Sequence, residues 1–306
     1  MPVEAVVAVR DADRPRCDEQ VRERMAGTAR SAQSTTDAPG PVRVDRDKAS
    51  IARVYNATLG GKDNYAVDRE VFERMQSLVP EVRQLALDHR AFLIRATRFI
   101  ATQTDVVQYL DCGSGLPTAE NTHQVAQRLA STSKVVYVDN DPSVIAHGRA
   151  LLEEDEQTLF VAADIFTPSA VVEDPTVRSF LDFSSPVALF LLGVLHHYDG
   201  TPTPAEIVAE YVDALPSGSY VAITHFLDPE DADSEVARRI EHVMVNSPMG
   251  TGLFRTRAQI EAMIPPQLEL VDPGLVQLSR WWPDGPQLRP VAPAQRCALG
   301  MVARKR

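Results

Sequence analysis

The sequence predicts an α/β fold, a doubly wound and mostly parallel sheet whose last strand is reversed, preceded by a helical segment. Three observations carry this. Short apolar runs, "DVVQYLDCGSG", "KVVYVDND", "TLFVAADI", "PVALFLLGVLHH" and "GSYVAITHF", recur along the chain. Helical segments separate them at about 118–130, 142–153, 170–181 and 205–215. Strands buried on both faces and alternating with helices imply a parallel sheet with right-handed crossovers. Finally, two late runs, "LELVD" and "CALGMVARK", are joined by a Trp/Pro-rich loop with no crossover helix, and strands joined that way pair antiparallel.

Residues 1–44 are rich in charge, Ser, Thr, Ala and Pro and lack a sustained period, so they read as a mobile arm. A helix around "DEQVRERMAG" or an upstream start codon are the alternatives there. Residues 45–104 read as a helical lid segment, and 105–306 as the sheet domain. From Ala66, the spacing of Val67, Val71, Met75 and Leu78 predicts a helix that Pro80 interrupts. A longer one comes next, with Val82, Leu85, His89, Phe92, Ala96 and Ile100 on one stripe. His89 falls inside that stripe and reads as a core histidine. After the fifth run, helices are expected at 233–245 and 256–263.

Composition narrows the function. The chain has 306 residues, 44% of them hydrophobic, enough for one large domain with a full core. Lys and Arg total 31 against 42 Asp and Glu, a net charge of −11. Such a surface repels nucleic acid and anionic lipid, although the basic residues of "FRTRAQ" and "ARKR" form a local exception. Cys17, Cys112 and Cys297 are too far apart for a disulfide framework or a C-x-x-C metal pair, which points to a reducing cytoplasm and to no metal. No apolar run reaches the ~20 residues that span a bilayer. The opening "MPVEAVVAVRDADRPRC" meets charges too early for a secretory core. Neither export nor anchoring is expected.

The turn "LDCGSGLPTAEN" closes the first strand and opens a helix, where backbone N–H groups and glycines admit a ligand closely. A dinucleotide fingerprint would need a third glycine where Thr118 stands. Asp111, just before Gly113, Ser114 and Gly115, would oppose a pyrophosphate but welcome an ammonium group. S-adenosylmethionine fits that demand, being cationic at sulfur and free of phosphate. Asp139, followed by Asn140, ends the second strand 24 residues beyond Gly115, where an acid accepts ribose hydroxyls. Asp164 ends the third and can receive the adenine amino group, with Ile165 against the ring. Each acid alone is also readable as a helix cap; three at successive strand ends form a constellation.

"YNATLGGKDNYAVDR", "HRAFLIRATRFI", "LDCGSGLPT", "VYVDNDP", "VLHH", "FRTRAQI" and "PGLVQLSRWWPD" occur in this order. Together they resemble a bacterial family of S-adenosylmethionine-dependent methyltransferases with an N-terminal GGKDN motif, formerly classed only as a domain of unknown function. The resemblance runs from about Ile51 to the C-terminus. It implies a class I methyltransferase (Rossmann-like) sheet of seven strands with the last reversed, S-adenosylmethionine as cofactor, and an unassigned acceptor. Cys112, Ser114 and His197 depart from the family pattern of an aliphatic residue, Thr and an aromatic.

In an open parallel sheet, ligands bind beyond the carboxyl ends of the strands. Gly193, His196 and His197 follow the fourth strand, beside the expected methyl group. Neutral His196 there is a candidate general base, or it lines the pocket while proximity does the work. His225 ends the fifth strand with the same ambiguity. Arg90, at the flank of the long stripe, is a candidate for the methionine carboxylate or for a surface ion pair. The Trp/Pro loop turns at the ligand end, so Arg280, Trp281 and Trp282 are candidates for an acceptor wall, or for packing. "LGGKDNY" is expected to fold over the cofactor. Gly61 would allow close approach, Lys62 or Asn64 would meet its carboxylate, and Tyr55 or Tyr65 would line the methyl channel. A two-glycine turn with a helix cap is the alternative. The leading function is methyl transfer to a small-molecule acceptor, ahead of a non-catalytic S-adenosylmethionine sensor and of an NAD-dependent oxidoreductase.

Overall fold

The computed structural model describes residues 43–118, 120–151 and 156–306; the arm reading, and the helix proposed within it, lie almost wholly outside these. Three helices come first: α1 (Ile51–Leu59), α2 (Ala66–Leu78) and α3 (Val82–Gln103). Five strand–helix units come after them. They are β1 (Gln108–Cys112), α4 (Thr122–Leu129), β2 (Lys134–Asp139), α5 (Pro142–Leu151), β3 (Thr158–Ala162), α6 (Pro168–Val172), α7 (Pro175–Phe180), β4 (Ala188–Leu192), α8 (Pro204–Ala214), β5 (Tyr220–Asp228) and α9 (Ser234–Val245). The chain ends with β6 (Arg255–Thr256), α10 (Arg257–Glu261), β7 (Leu268–Leu270), β8 (Val276–Gln277), α11 (Pro293–Arg296) and β9 (Ala298–Lys305).

The sheet runs β3-β2-β1-β4-β5-β9-β7. Neighbours from β3 to β5 pair parallel, and β9 pairs antiparallel with both β5 and β7. The two-residue strands β6 and β8 pair off this path, so the described residues hold nine strands where the resemblance implies seven. The predicted single helix over 170–181 is two, because Asp174 caps a new start before Pro175.

Alternation along the strands feeds two cores. Tyr109 and Phe190 face the side that α3 covers with Phe92, Ala96 and Ile100, all fully buried. Leu110, Val136 and Leu189 face the side that α8 covers with Val208 and Tyr211. Strands buried on both faces carry no polar alternation, and where the sheet meets the site β1 leads into Gly113, β2 ends in Asp139 and β4 leads into Gly193.

The opening "LGGKDNY" has a local task. Gly60 takes a left-handed φ of 84° and ends α1, as a C-terminal glycine does. The Asn56 side chain organises the turn into α2, its Oδ1 accepting from the Asp63 amide at 3.1 Å and from Asn64 Nδ2 at 2.9 Å. A Cβ on Gly61 would lie 2.4 Å from that amide group, which is why a glycine stands there. Lys62 is exposed.

Candidate active site

A cavity of about 490 Å³ opens at the carboxyl ends of the parallel strands, within the range of small-ligand sites. Its floor is the turn after β1. Gly113 has φ 77°, and a Cβ on it would meet Val194 at 2.3 Å, so only glycine fits. The Gly115 amide donates to Asp139 Oδ2 at 2.9 Å, and the Asp141 amide donates to Oδ1 at 2.9 Å. A carboxylate offers about four acceptor sites, so Asp139 ties the two loops together and still has capacity for a ligand's hydroxyls. Thr122 Oγ1 donates to Asp111 Oδ2 at 2.6 Å. Burial pushes both acids up to about 6, Asp111 against the opposing effects of Thr122 and Arg90, Asp139 against the amides of Asp141 and Gly115. Ser114 Oγ is buried without a hydrogen-bond partner among the described residues.

The other half is apolar. Val54, Val82 and Leu85 come from the N-terminal helices, Ile240 and Met244 from α9, and Met249 from the segment after it. His89, His196 and His197 complete the lining. After Gly193 (φ 70°) a single 3-10 turn, Leu195–His197, brings His196 face to face with Phe226 at 3.6 Å between ring centroids. The His89 and His196 rings are 6.2 Å apart, edge to face. Burial pushes His89 and His197 down to about 3 and His225 to about 4, and His196 falls well below the ordinary histidine range for the same reason. All four are neutral at pH 7. Among the described residues no group of three or more His, Cys, Asp or Glu is arranged to hold a metal ion.

Of the residues singled out in the sequence, the cavity brings together Tyr55, Arg90, Asp111, Gly113, Ser114 and Gly115, and with them Asp139, Asn140, Ile165, Gly193, His196 and His197. Others lie elsewhere. Asp164 is exposed and accepts from the Phe166 amide at 3.0 Å in a local turn, while its neighbour Ile165 lines the cavity. Gly61, Lys62 and Asn64 belong to the α1–α2 turn, so the expected contact of that turn with the cavity is corrected: Asn64 spends its amide on Asn56 and Gly61. His225 is fully buried behind the lining; its Nδ1 lies 2.7 Å from the Phe226 carbonyl, so it carries the proton and Nε2 accepts from Arg255 Nη1 at 2.9 Å. The acceptor-wall reading of the Trp/Pro loop is corrected too. Trp281 is fully buried between Phe92 and Phe99, Trp282 packs edge-on against Phe99, and Arg280 is exposed.

Two further residues belong to the site that the sequence does not mark as such. His89 borders the cavity, although its place in the apolar stripe assigns it to the core. Arg255 ties the histidine turn in place, donating to the Leu195 carbonyl at 3.2 Å and the Tyr198 carbonyl at 2.7 Å as well as to His225. The strand pairing of β6 beside β5 aims it there. The only signal in the sequence is its place in "FRTRAQI".

A sheet of this order with an acid and glycine turn after β1, an acid ending β2 and an antiparallel final pair defines a class I methyltransferase. The chain belongs to the S-adenosyl methyltransferase family, whose model matches residues 37–306. The crystal structure of a candidate methyltransferase from Thermobifida fusca is 37% identical, covering 89% of this chain and 99% of that one with a TM-score of 0.80. That of a DUF574 family protein from Streptomyces avermitilis is 34% identical, covering 86% of this chain and 100% of that one, also with a TM-score of 0.80. No curated protein matches significantly. The protein is an S-adenosylmethionine-dependent methyltransferase, and the sensor and oxidoreductase alternatives fall away.

Proposed function

We propose that this methyltransferase acts on a small, uncharged and largely apolar acceptor. The make-up of the lining carries the reading: acids and a glycine turn from the ends of β1 and β2, aliphatic and methionine side chains from the helices, and neutral imidazoles among them. The polar end suits the cofactor. Asp111 and Ser114 would hold its amino-acid group with Arg90 opposite the carboxylate, Asp139 the ribose, and Ile165 the adenine. Bound there, S-adenosylmethionine supplies an electrophilic methyl group on a sulfonium. The apolar end, covered by α1 and α2 as a lid, would hold the acceptor, and Met75, Met244 and Met249 give that wall an adaptable surface. Neutral His196 would receive the acceptor's proton. The charge of −11 argues against nucleic acid, and the free, buried thiols of Cys112 and Cys297 suit a reducing cytoplasm.

The test is a methyl-transfer screen with neutral phenols, carboxylic acids, amines and RNA as acceptors, reading S-adenosylhomocysteine release. Turnover confined to neutral phenols or other apolar acceptors is the expected result; turnover of RNA or of charged acceptors alone would overturn it.

Cofactor affinity should depend on pH with a definite sign. Asp111 and Asp139 have pKa values of about 6 in the free protein, and a bound cation and hydroxyl donors favour their ionised forms. Binding then expels protons, so affinity rises with pH through about 6 and levels off above it. Calorimetry with S-adenosylhomocysteine at pH 5 and 7.5 should show weaker binding at the lower pH, by up to about tenfold per acid per pH unit. Equal affinity at both would mean that neither carboxylate meets the ligand.

A further inference from the structure

We infer that His89, held in one tautomer by Thr224, is the residue that reads the acceptor's oxygen, and that the acceptor group is a neutral hydroxyl of the phenol or enol type. This rests on the reading of the apolar half of the cavity as the acceptor site. His89 Nδ1 lies 3.0 Å from Thr224 Oγ1. Thr224 sits fully buried in β5, between β4 and β9, so its backbone groups lie within the sheet ladder. Among the described residues its hydroxyl has one hydrogen-bond partner, the His89 ring. A hydroxyl carries one proton, and that proton needs an acceptor. If Nδ1 were protonated, it would occupy the hydroxyl's lone pair and leave the Thr224 proton without one. If Thr224 donates to Nδ1 instead, both groups are satisfied and the ring proton resides on Nε2.

His89 Nε2 is buried and has no partner among the described residues. A buried N–H left so in a native fold calls for an explanation, and the cavity that His89 borders provides one: the partner is a ligand atom. His196 Nδ1 is likewise buried without a partner. Both rings border the same cavity, with their centroids 6.2 Å apart and edge to face. A donor and a basic nitrogen on two uncharged rings match a group that both accepts and donates. A hydroxyl does, a carboxylate or an ammonium does not. His89 Nε2–H would accordingly hold one lone pair of the acceptor oxygen, leaving another aimed at the methyl carbon. As the O–CH3 bond forms, the C–S bond breaks with its electrons passing to sulfur, giving a neutral thioether, and the hydroxyl proton passes to His196.

Two readouts test this. Selective 15N labelling of histidine, with the His89 signals assigned by their loss in His89→Phe, should show protonated Nε2 and unprotonated Nδ1 in the free protein; the reverse pattern would overturn the tautomer argument. In the presence of S-adenosylhomocysteine, 2-naphthol should bind about tenfold tighter than naphthalene to the wild type, from one hydrogen bond to a group otherwise left unpaired. In His89→Phe that preference should vanish while naphthalene and S-adenosylhomocysteine still bind. Thr224→Val should erode it and Thr224→Ser should keep it, which guards against a His89→Phe that fails to fold. An undiminished preference in both His89→Phe and Thr224→Val would overturn the proposal. Equal wild-type binding of the two probes would overturn it while leaving the apolar-acceptor reading intact. Binding of neither would overturn both.

Discussion

Replacing Trp281 with alanine should cost about 3–5 kcal/mol of stability, the range for truncating a large aromatic in a packed core. The indole is the largest fully buried side chain among the described residues. Its ring centroid lies 5.3 Å from that of Phe92 and 5.5 Å from that of Phe99, both on α3. Arg95, on the same helix, reaches over it, donating to the Trp281 carbonyl at 2.9 Å and the Leu278 carbonyl at 2.7 Å. The Trp/Pro loop is therefore clamped to α3 by a side chain from each partner. The indole Nε1 has no partner among the described residues, so Trp281→Phe should lose less than Trp281→Ala, because it also removes a buried N–H that makes no bond. Arg280→Ala, one residue earlier and exposed, should stay within about 0.5 kcal/mol of the wild type. Urea unfolding of the three variants, with S-adenosylhomocysteine affinity measured on the folded proteins, decides the matter. A Trp281→Ala protein of normal stability that had lost ligand binding would return the loop to the acceptor wall.

That loop marks where the sequence stops being readable. Topology places it at the ligand end, because β7 and β9 are antiparallel neighbours, and so it is. Nothing in the sequence says which way the indole turns, since a loop has no period to fix a face. The strands are readable for the opposite reason: apolar runs of five or six residues closed by Asp111, Asp139 or Gly193 combine burial and a change of chemistry at the same position. His89 reads as core because α3 does two jobs along one stripe. Its N-terminal turns, with Leu85 and Ala86, border the cavity, while Phe92, Ala96 and Ile100 pack on the sheet. A cavity wall and a core have the same helical period. Asn56 and Arg255 are hidden differently. Arg255 acts on groups 30 to 60 residues away in the chain, and spacing carries no trace of such contacts.

Asp68→Asn is the second substitution expected to have a large effect. Asp68 is fully buried and its carboxylate accepts from the Ser50 amide at 3.1 Å, the Tyr65 amide at 2.8 Å and Arg53 Nε at 2.8 Å. It thus holds the starts of α1 and α2 together. Arg53, 3% exposed, spends its remaining donors on Ser143 Oγ at 3.0 Å and on the carbonyls of Asp45 and Lys48. Ser143 opens α5 directly after the Asp139–Asp141 turn, so one buried ion pair joins the N-terminal helices to the ribose end of the site. An amide in place of the carboxylate keeps the shape and removes the charge, leaving the guanidinium buried without a counter-ion. Breaking such a pair from one side costs about 3–5 kcal/mol, whereas replacing both partners with apolar residues costs much less. The loss should fall first on residues 50–79, because they form the unit that the pair secures. Hydrogen exchange should therefore quicken there before it does in β1–β5, and S-adenosylhomocysteine should bind more weakly, since α1 contributes Val54 and Tyr55 to the cavity. Arg53→Met combined with Asp68→Leu should restore much of the protection. Unchanged exchange across 50–79 in Asp68→Asn would show that the helices are held by apolar packing alone, and that the bond to Ser143 couples them to nothing.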